Sequence, residues 1–232
     1  MPSRVLLLSP HPDDIAWSLG GTVAALRSAG VPVRVLTLFT RTSYAPTDPA
    51  HGDAYAVTRL RSAEERTWAR DRGVRLHRAT IDDASLRGYD DDTEMGAEPD
   101  ANVVEWVGAH VADAVTRLGP SVVFVPLAAG GHVDHVATRR AAAAHVPPGM
   151  IAWYEDLPYA ATAAGAPPPG SRPLVLDITP YRAARDAGVR TFGSQEPEPT
   201  LPVLNAHVEA VGGERIWCAD ALGADLLRHL GH

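Results

Sequence analysis

Along this chain, short runs of consecutive apolar residues alternate with longer stretches in which apolar positions recur every three to four residues. These are the two periods expected of buried strands and of helices with one buried face. Residues 4–8 and 33–38 read as strands flanking a helix at 17–29, closed by Gly30 and Pro32, so the chain opens as a βαβ unit. The pattern then predicts a helix over 57–72 ended by Gly73, a strand at 75–79, a helix at 101–118, a strand at 122–125 and helical periodicity over 138–145 before Pro147. Further strands are expected at the start of 153–159, at 174–178 and at 214–218, with helices near 181–187 and 201–211 and a loop at 193–200. Residues 40–56 read as a loop at the mouth of a site, 82–100 as an acidic loop explained by solvation, and 160–172 as either a surface lid or a mobile connection. Strands alternating with helices predict an α/β protein with a mainly parallel sheet. There is no internal repeat and no glycine fingerprint for a dinucleotide.

Composition narrows the classes. With 232 residues, 45% of them hydrophobic, the chain can bury one full core, and a single domain over residues 1–232 is expected. A formal charge of -7, spread rather than in blocks, argues against a nucleic-acid surface. Cys218 is the single cysteine, so no internal disulfide forms. With no cationic leader in view, a reducing cytoplasm is expected. No stretch is apolar enough to insert in a membrane. No base accompanies Cys218, which reads as core filling rather than as a nucleophile. The apolar helix faces are compatible with a homo-oligomer as well as with a monomer.

Candidate chemistry sits in two short clusters. SPHPDD places His11, Asp13 and Asp14 directly after the first apolar run, and GGHVDH places His132, Asp134 and His135 shortly after residues 122–125. Imidazole and carboxylate suit Zn(II), and a hydrolytic centre needs three protein ligands and an open position for water. His11, Asp14 and His135 supply that set, and Asp13 is available to take a proton from the nucleophile. Fe(II), Mn(II), Co(II) or Ni(II) also suit a mixed N/O site. Both clusters lie where a strand turns into a helix, and in a parallel sheet ligands bind at the carboxyl ends of strands, near the point where strand order reverses. Two distant clusters can meet there.

Other residues carry two readings each. Arg61 and Glu64 lie one turn apart and read first as a surface ion pair, although an arginine facing the pocket would orient a substrate oxygen. Tyr154 and Tyr159 either contact a polar substrate or anchor a loop as partly buried tyrosines. Gly20 and Gly21 read as a close approach of the first helix to the sheet, Trp217 as buried packing, and Gly88, Gly188 and Gly223 as turns or helix ends.

Residues 9–14 followed by Leu19-Gly20-Gly21 resemble the first signature of the PIG-L/LmbE family of metal-dependent N-deacetylases, and residues 132–137 resemble its second. Arg61 and Glu64 resemble its R-x-x-E feature. The resemblance implies a Rossmann-like three-layer fold, with a compact C-terminal region completing the pocket, that hydrolyses an N-acetylated small molecule, commonly an amino sugar. It implies a divalent metal, by default Zn(II), on His11, Asp14 and His135, with Asp13 as general base. His132, in protonated form, would assist the carbonyl, and Asp134 either orients His132 and supports its charge or caps the following helix. The chain departs from the family pattern at Ile15, where glutamate is usual, and at Val133, where proline is common. Ile15 and Trp17 are expected to make the pocket less polar.

Overall fold

The structure is a computed structural model that describes residues 4–89 and 94–230. Residues 90–93, part of the acidic loop expected at 82–100, lie outside the described residues. The strands are β1 (Val5–Ser9), β2 (Val33–Arg41), β3 (Arg75–Asp82), β4 (Val122–Pro126), β5 (Ile151–Tyr154), β6 (Arg172–Leu176) and β7 (Glu214–Cys218). The helices are α1 (Asp14–Ser28), α2 (Ala54–Arg72), α3 (Ala101–Leu118), α4 (Val133–His145), α5 (Arg182–Arg190), α6 (Pro197–Val211) and α7 (Asp220–Leu230).

All seven strands join one sheet in the order β3-β2-β1-β4-β5-β7-β6. The first five are parallel, whereas β7 runs antiparallel to both β5 and β6. The continuous apolar runs of β1 and β4 follow from this position: each is buried along its whole length between two layers of helices. On one face Val5, Leu7, Val33 and Phe124 pack with Trp17, Leu19, Trp68, Val189 and Leu204. On the other, Leu6, Leu8, Val123 and Val125 pack with Val103, Val107, Val111 and Ala141 of α3 and α4. Helix boundaries follow local chemistry. The Asp53 carboxylate accepts from the backbone of Tyr55 and Ala56 to start α2, and the Asp100 carboxylate accepts from Asn102 to start α3.

After β1 the chain builds β2 and β3 to one side, then crosses to build β4 and β5 on the other. Strand order therefore reverses between β1 and β4. The carboxyl ends of these two strands flank a crevice, and the loops leaving them carry the two histidine clusters.

Several expectations change in the C-terminal third. Strand β6 comes two residues early, because the Asp177 carboxylate accepts from Thr179 N and turns the chain. The loop expected at 193–200 shortens, since Pro197 opens α6 at a position proline favours. Helix α7 was not foreseen, and Gly223 lies inside it while Gly188 lies inside α5, so neither is a turn. Trp217 is only partly buried, with the Arg215 guanidinium 5.5 Å over its ring. The Gly20-Gly21 pair lets α1 approach the C-terminal region and, with it, the sheet: a Cβ on Gly21 would stand 2.6 Å from Ile178 Cβ, and one on Gly20 would stand 3.0 Å from Arg185 Cγ. That closeness lets Gly21 N and Thr22 N donate to the buried Glu214 carboxylate, fastening α1 to β7.

Candidate metal centre

The turn after β1 is shaped by its own polar groups. Phe39 N donates to Pro10 O, and His11 N donates to Asp14 Oδ2 at 2.7 Å, curling the chain so that His11, Asp13 and Asp14 all line one cavity. Asp13 occupies the position before α1 yet makes no capping bond, so its carboxylate is not committed to the helix. Across the crevice the segment after β4 passes through Ala128 and Gly130, both at positive φ. At Gly130 a Cβ would stand 2.9 Å from Tyr159 Cβ, so both backbone conformation and space require glycine there. His132 then caps α4 with its ring: Asp134 N donates to His132 Nδ1 at 3.2 Å.

The rings of His11, His132 and His135 gather with centroids 5.0 to 5.3 Å apart. Asp14 lies between two of them. His11 Nδ1 is 3.4 Å from Asp14 Oδ2, and His135 Nε2 is 3.4 Å from Asp14 Oδ1. The far nitrogen of each ring is held by a carboxylate: His11 Nε2 by Asp134 Oδ2 at 2.9 Å, and His135 Nδ1 by Asp156 Oδ1 at 2.6 Å. Metal-binding histidines are oriented in this way, since a carboxylate on one nitrogen fixes the tautomer and raises the basicity of the other.

A divalent ion fits this donor set on two grounds. His135 Nε2 is buried with no hydrogen-bond partner, a costly state unless something else occupies its lone pair. The ligand atoms of His11, Asp14 and His135 also lie within 4.8 Å of one another. His11, His132 and Asp134 meet the same distance test but fit less well. Asp134 is consumed by His11, by Ala84 N at 3.0 Å and by Arg87 Nη2 at 2.6 Å, and His132 Nδ1 by the α4 cap.

The electrostatics point the same way. Burial opposes a charge on His11, yet Asp134 and Asp14 hold its pKa up to about 10. Burial likewise opposes a charge on His135, and Asp14 and Asp156 outweigh it. Burial would raise the Asp14 carboxyl, but His135 and His11 hold it well below the usual carboxylate range. Buried carboxylate in excess draws in positive charge, which protons or a metal ion can supply, and ligation requires the ring nitrogens to be free of protons. His132 is different: burial first, then the charges of His11 and His135, push its pKa down to about 3. The ring is therefore neutral, and with Nδ1 accepting the Asp134 N–H its proton sits on Nε2.

The cavity around these groups has a volume of about 520 Å³, and its lining includes His11, Asp13, Asp14, Arg61, His132 and Tyr159. Arg61 is not a surface ion-pair partner of Glu64. It is 3% exposed, and its Nη2 donates to Asp13 Oδ1 at 2.6 Å. Glu64 instead accepts from Ser194 N and Oγ. Tyr154 does not line the cavity: it is fully buried, its hydroxyl donating to Leu8 O at 3.0 Å, which is the loop-anchoring reading. Tyr159, two residues past Leu157, does reach the cavity, and burial raises its phenol pKa well above the ordinary value, so it stays neutral. The Asp134 carboxylate braces His11 rather than His132, and only its backbone meets His132. Trp17 lines the cavity, whereas Ile15 is buried in the core beneath α1. Residues 160–171 pack as a connection, with Ala166 O accepting from Arg139, and Thr162 and Ala163 forming part of the cavity wall.

Four contributors were not legible in advance. Asp83 and Asp156 follow β3 and β5 at the same sheet edge, and that placement was the available signal. Asp83 is buried against the cavity rather than solvated. Asp156 bridges His135 to Ala129 N at 3.0 Å. Arg87 and Gln195 carried no sequence signal.

Comparison with known proteins follows the same lines. The profile of the PIG-L family, described as GlcNAc-PI de-N-acetylase, matches residues 6–146. A 2'-N-acetylparomamine deacetylase of Streptomyces fradiae is 36% identical over 240 residues, covering 95% of this chain and 83% of that protein. A 1D-myo-inositol 2-acetamido-2-deoxy-alpha-D-glucopyranoside deacetylase of Kineococcus radiotolerans is 32% identical, covering 60% of this chain and 44% of that protein. Among solved structures, a deacetylase–teicoplanin complex from teicoplanin biosynthesis superposes with a TM-score of 0.77 at 23% identity, covering 93% of this chain and 98% of that one, a likeness of fold.

Proposed function

Because this chain belongs to the PIG-L family, we propose that it hydrolyses the N-acetyl group of an amino sugar within a small glycosylated metabolite, releasing acetate and a free amine. The observation that carries the proposal is the meeting of His11, Asp14 and the unpartnered His135 Nε2 beside a carboxylate, Asp13, that neither caps its helix nor binds the metal set. The amino-sugar substrates named for the Streptomyces and Kineococcus relatives support the substrate class.

His11, Asp14 and His135 would hold the ion, Zn(II) by default, with Fe(II), Mn(II), Co(II) or Ni(II) as alternatives. Bound there, it supplies Lewis acidity, acidifying the hydrolytic water and polarising the acetamide carbonyl. Arg61 engages Asp13 Oδ1, leaving the other oxygen to accept the water proton as the C–O bond forms. As the C–N bond breaks, the same carboxyl returns that proton to the leaving nitrogen. His132 donates its Nε2–H toward the oxygen on which negative charge develops. Burial favours the neutral ring as that donor, whereas the family resemblance implies a protonated imidazole. No described helix is long and apolar enough to cross a membrane. A cytoplasmic setting belongs to the proposal, supported by the single, buried and free Cys218.

The test is amine release from a panel of N-acetyl amino sugars, their glycosides and non-sugar acetamides, after loading with each candidate metal. Asp13→Asn should lower kcat by about 10² to 10⁴ while leaving metal content intact. Undiminished turnover in that variant removes Asp13 as base. A well-folded, metal-loaded wild type that releases amine from non-sugar acetamides alone replaces the sugar reading with a general amidase.

A further inference from the structure

The family profile ends at residue 146, and the cavity does not. Its wall is completed by residues 157–163 and by one side chain from much later in the chain, Gln195, which is 7% exposed. The segment presenting Gln195 is fixed from three directions. Glu64 of α2 accepts from Ser194 N at 2.9 Å and from Ser194 Oγ at 2.7 Å. Thr47 Oγ1 donates to Gly193 O at 2.8 Å. The Gln195 amide nitrogen donates toward Tyr44 O at 3.2 Å and toward Ser194 O and Oγ, each at 3.1 Å. Two of those three neighbours are backbone carbonyls, which only accept, so the atom facing them must be nitrogen. Among the described residues its Oε1 makes no hydrogen bond, and it is not among the buried unsatisfied atoms, so the polar atom left over belongs to a wall residue of the cavity. Glu196, the next residue, is held at φ 53, in the left-handed region that non-glycine residues enter at a cost. Such strain persists only where surrounding contacts impose it.

The R-x-x-E spacing on α2 gains a use from this arrangement. Arg61 holds Asp13 at the floor, and Glu64, three residues and about 4.5 Å further along the helix axis, holds the segment beside Tyr44, which is 48% exposed and marks the mouth. One turn of helix thus links the base to the outer wall.

We infer that Gln195 is a specificity-determining residue, whose Oε1 accepts a hydrogen bond from a hydroxyl or ammonium on a cyclic group attached to the N-acetylated sugar. The inference rests on the amino-sugar reading above and narrows it to glycosides whose second ring carries hydrogen-bond donors. The floor of the cavity holds the acetamide among His11, Asp13, Asp14 and His132, so a ring beyond the sugar lies toward the mouth. There Gln195 offers an acceptor that cannot rotate away without breaking its bonds to Tyr44 and Ser194.

The experiment compares three substrates: N-acetylglucosamine, the same sugar linked to a neutral polyol ring, and the same sugar linked to an aminocyclitol. Each is assayed for kcat/KM, and each is titrated by calorimetry, with wild type, Gln195→Leu, Gln195→Met and Glu64→Ala. Wild type should favour the two-ring substrates. All three variants should reduce that preference by about tenfold, the loss expected when one such hydrogen bond goes. Loss on both glycosides identifies a hydroxyl donor, and loss on the aminocyclitol alone an ammonium. An unchanged preference in a folded Gln195 variant, or an equal loss on all three substrates, overturns the inference. If wild type releases no amine from any of them, the hydrolytic reading fails. A calorimetric preference that Gln195→Leu abolishes would still uphold the role of Gln195.

Discussion

Replacing Asp156 by Ala should damage metal retention and stability together, although Asp156 touches no ligand position of the ion. Its carboxylate accepts from His135 Nδ1 through one oxygen and from Ala129 N through the other, and it is fully buried. Alanine strands both donors away from water at about 1–3 kcal/mol each. The expected loss is about 2–6 kcal/mol, or roughly 4–24 °C in Tm for a chain of this size. The His135 ring also loses the partner that fixes its tautomer and strengthens Nε2 as a donor. Losing such a partner weakens metal binding by about 10- to 100-fold, or about 1.4–2.7 kcal/mol. Asp156→Asn keeps one acceptor and should fall between wild type and alanine on both measures. Affinity is measured by chelator competition, with the Co(II) absorption spectrum reporting ligand geometry, and Tm is followed with and without metal. A fall in Tm with wild-type affinity and spectrum would refute the coupling and leave Asp156 as a brace for the loop alone.

The other expectations are narrower. Tyr154→Phe removes only the bond to Leu8 O and should cost about 1 kcal/mol of stability. A selective rise in KM for the sugar substrate would restore Tyr154 as a substrate contact. Gly21→Ala places a methyl group 2.6 Å from Ile178 Cβ. The resulting strain of about 1–3 kcal/mol should exceed the helix-propensity gain of about 1 kcal/mol, so an unchanged urea midpoint would show that α1 and Ile178 separate freely. Glu155 accepts from His207 Nε2 at 2.9 Å and from Arg215 Nε at 2.8 Å. Burial alone would raise its pKa, but these partners hold it below the ordinary value. Its contribution is therefore complete above the unfolded-chain pKa and lost as pH falls through the lower folded value. Glu155→Gln should flatten the acid limb of the stability–pH curve, and an identical acid limb in wild type and variant would count against this group.

The sequence by itself determined the alternation of strands and helices, because period is local: the apolar runs of β1 and β4, the glycine stop at Gly73 and the two histidine clusters are all read within a few residues. It also singled out the candidate metal set, since His11, Asp14 and His135 combine ligand chemistry with positions at strand ends, and a parallel sheet gathers strand ends at one edge. What it did not determine was which carboxylate serves which ring. Asp134 lies two residues from His132 yet bonds His11, 123 residues away in sequence, because the first turn of α4 directs its carboxylate across the crevice toward β1. Asp156, Gln195 and the pairing of Arg61 with Asp13 were likewise decided by tertiary structure. Each is a contact between segments whose meeting depends on strand order and helix packing, and neither property is written in the local periodicity of the chain.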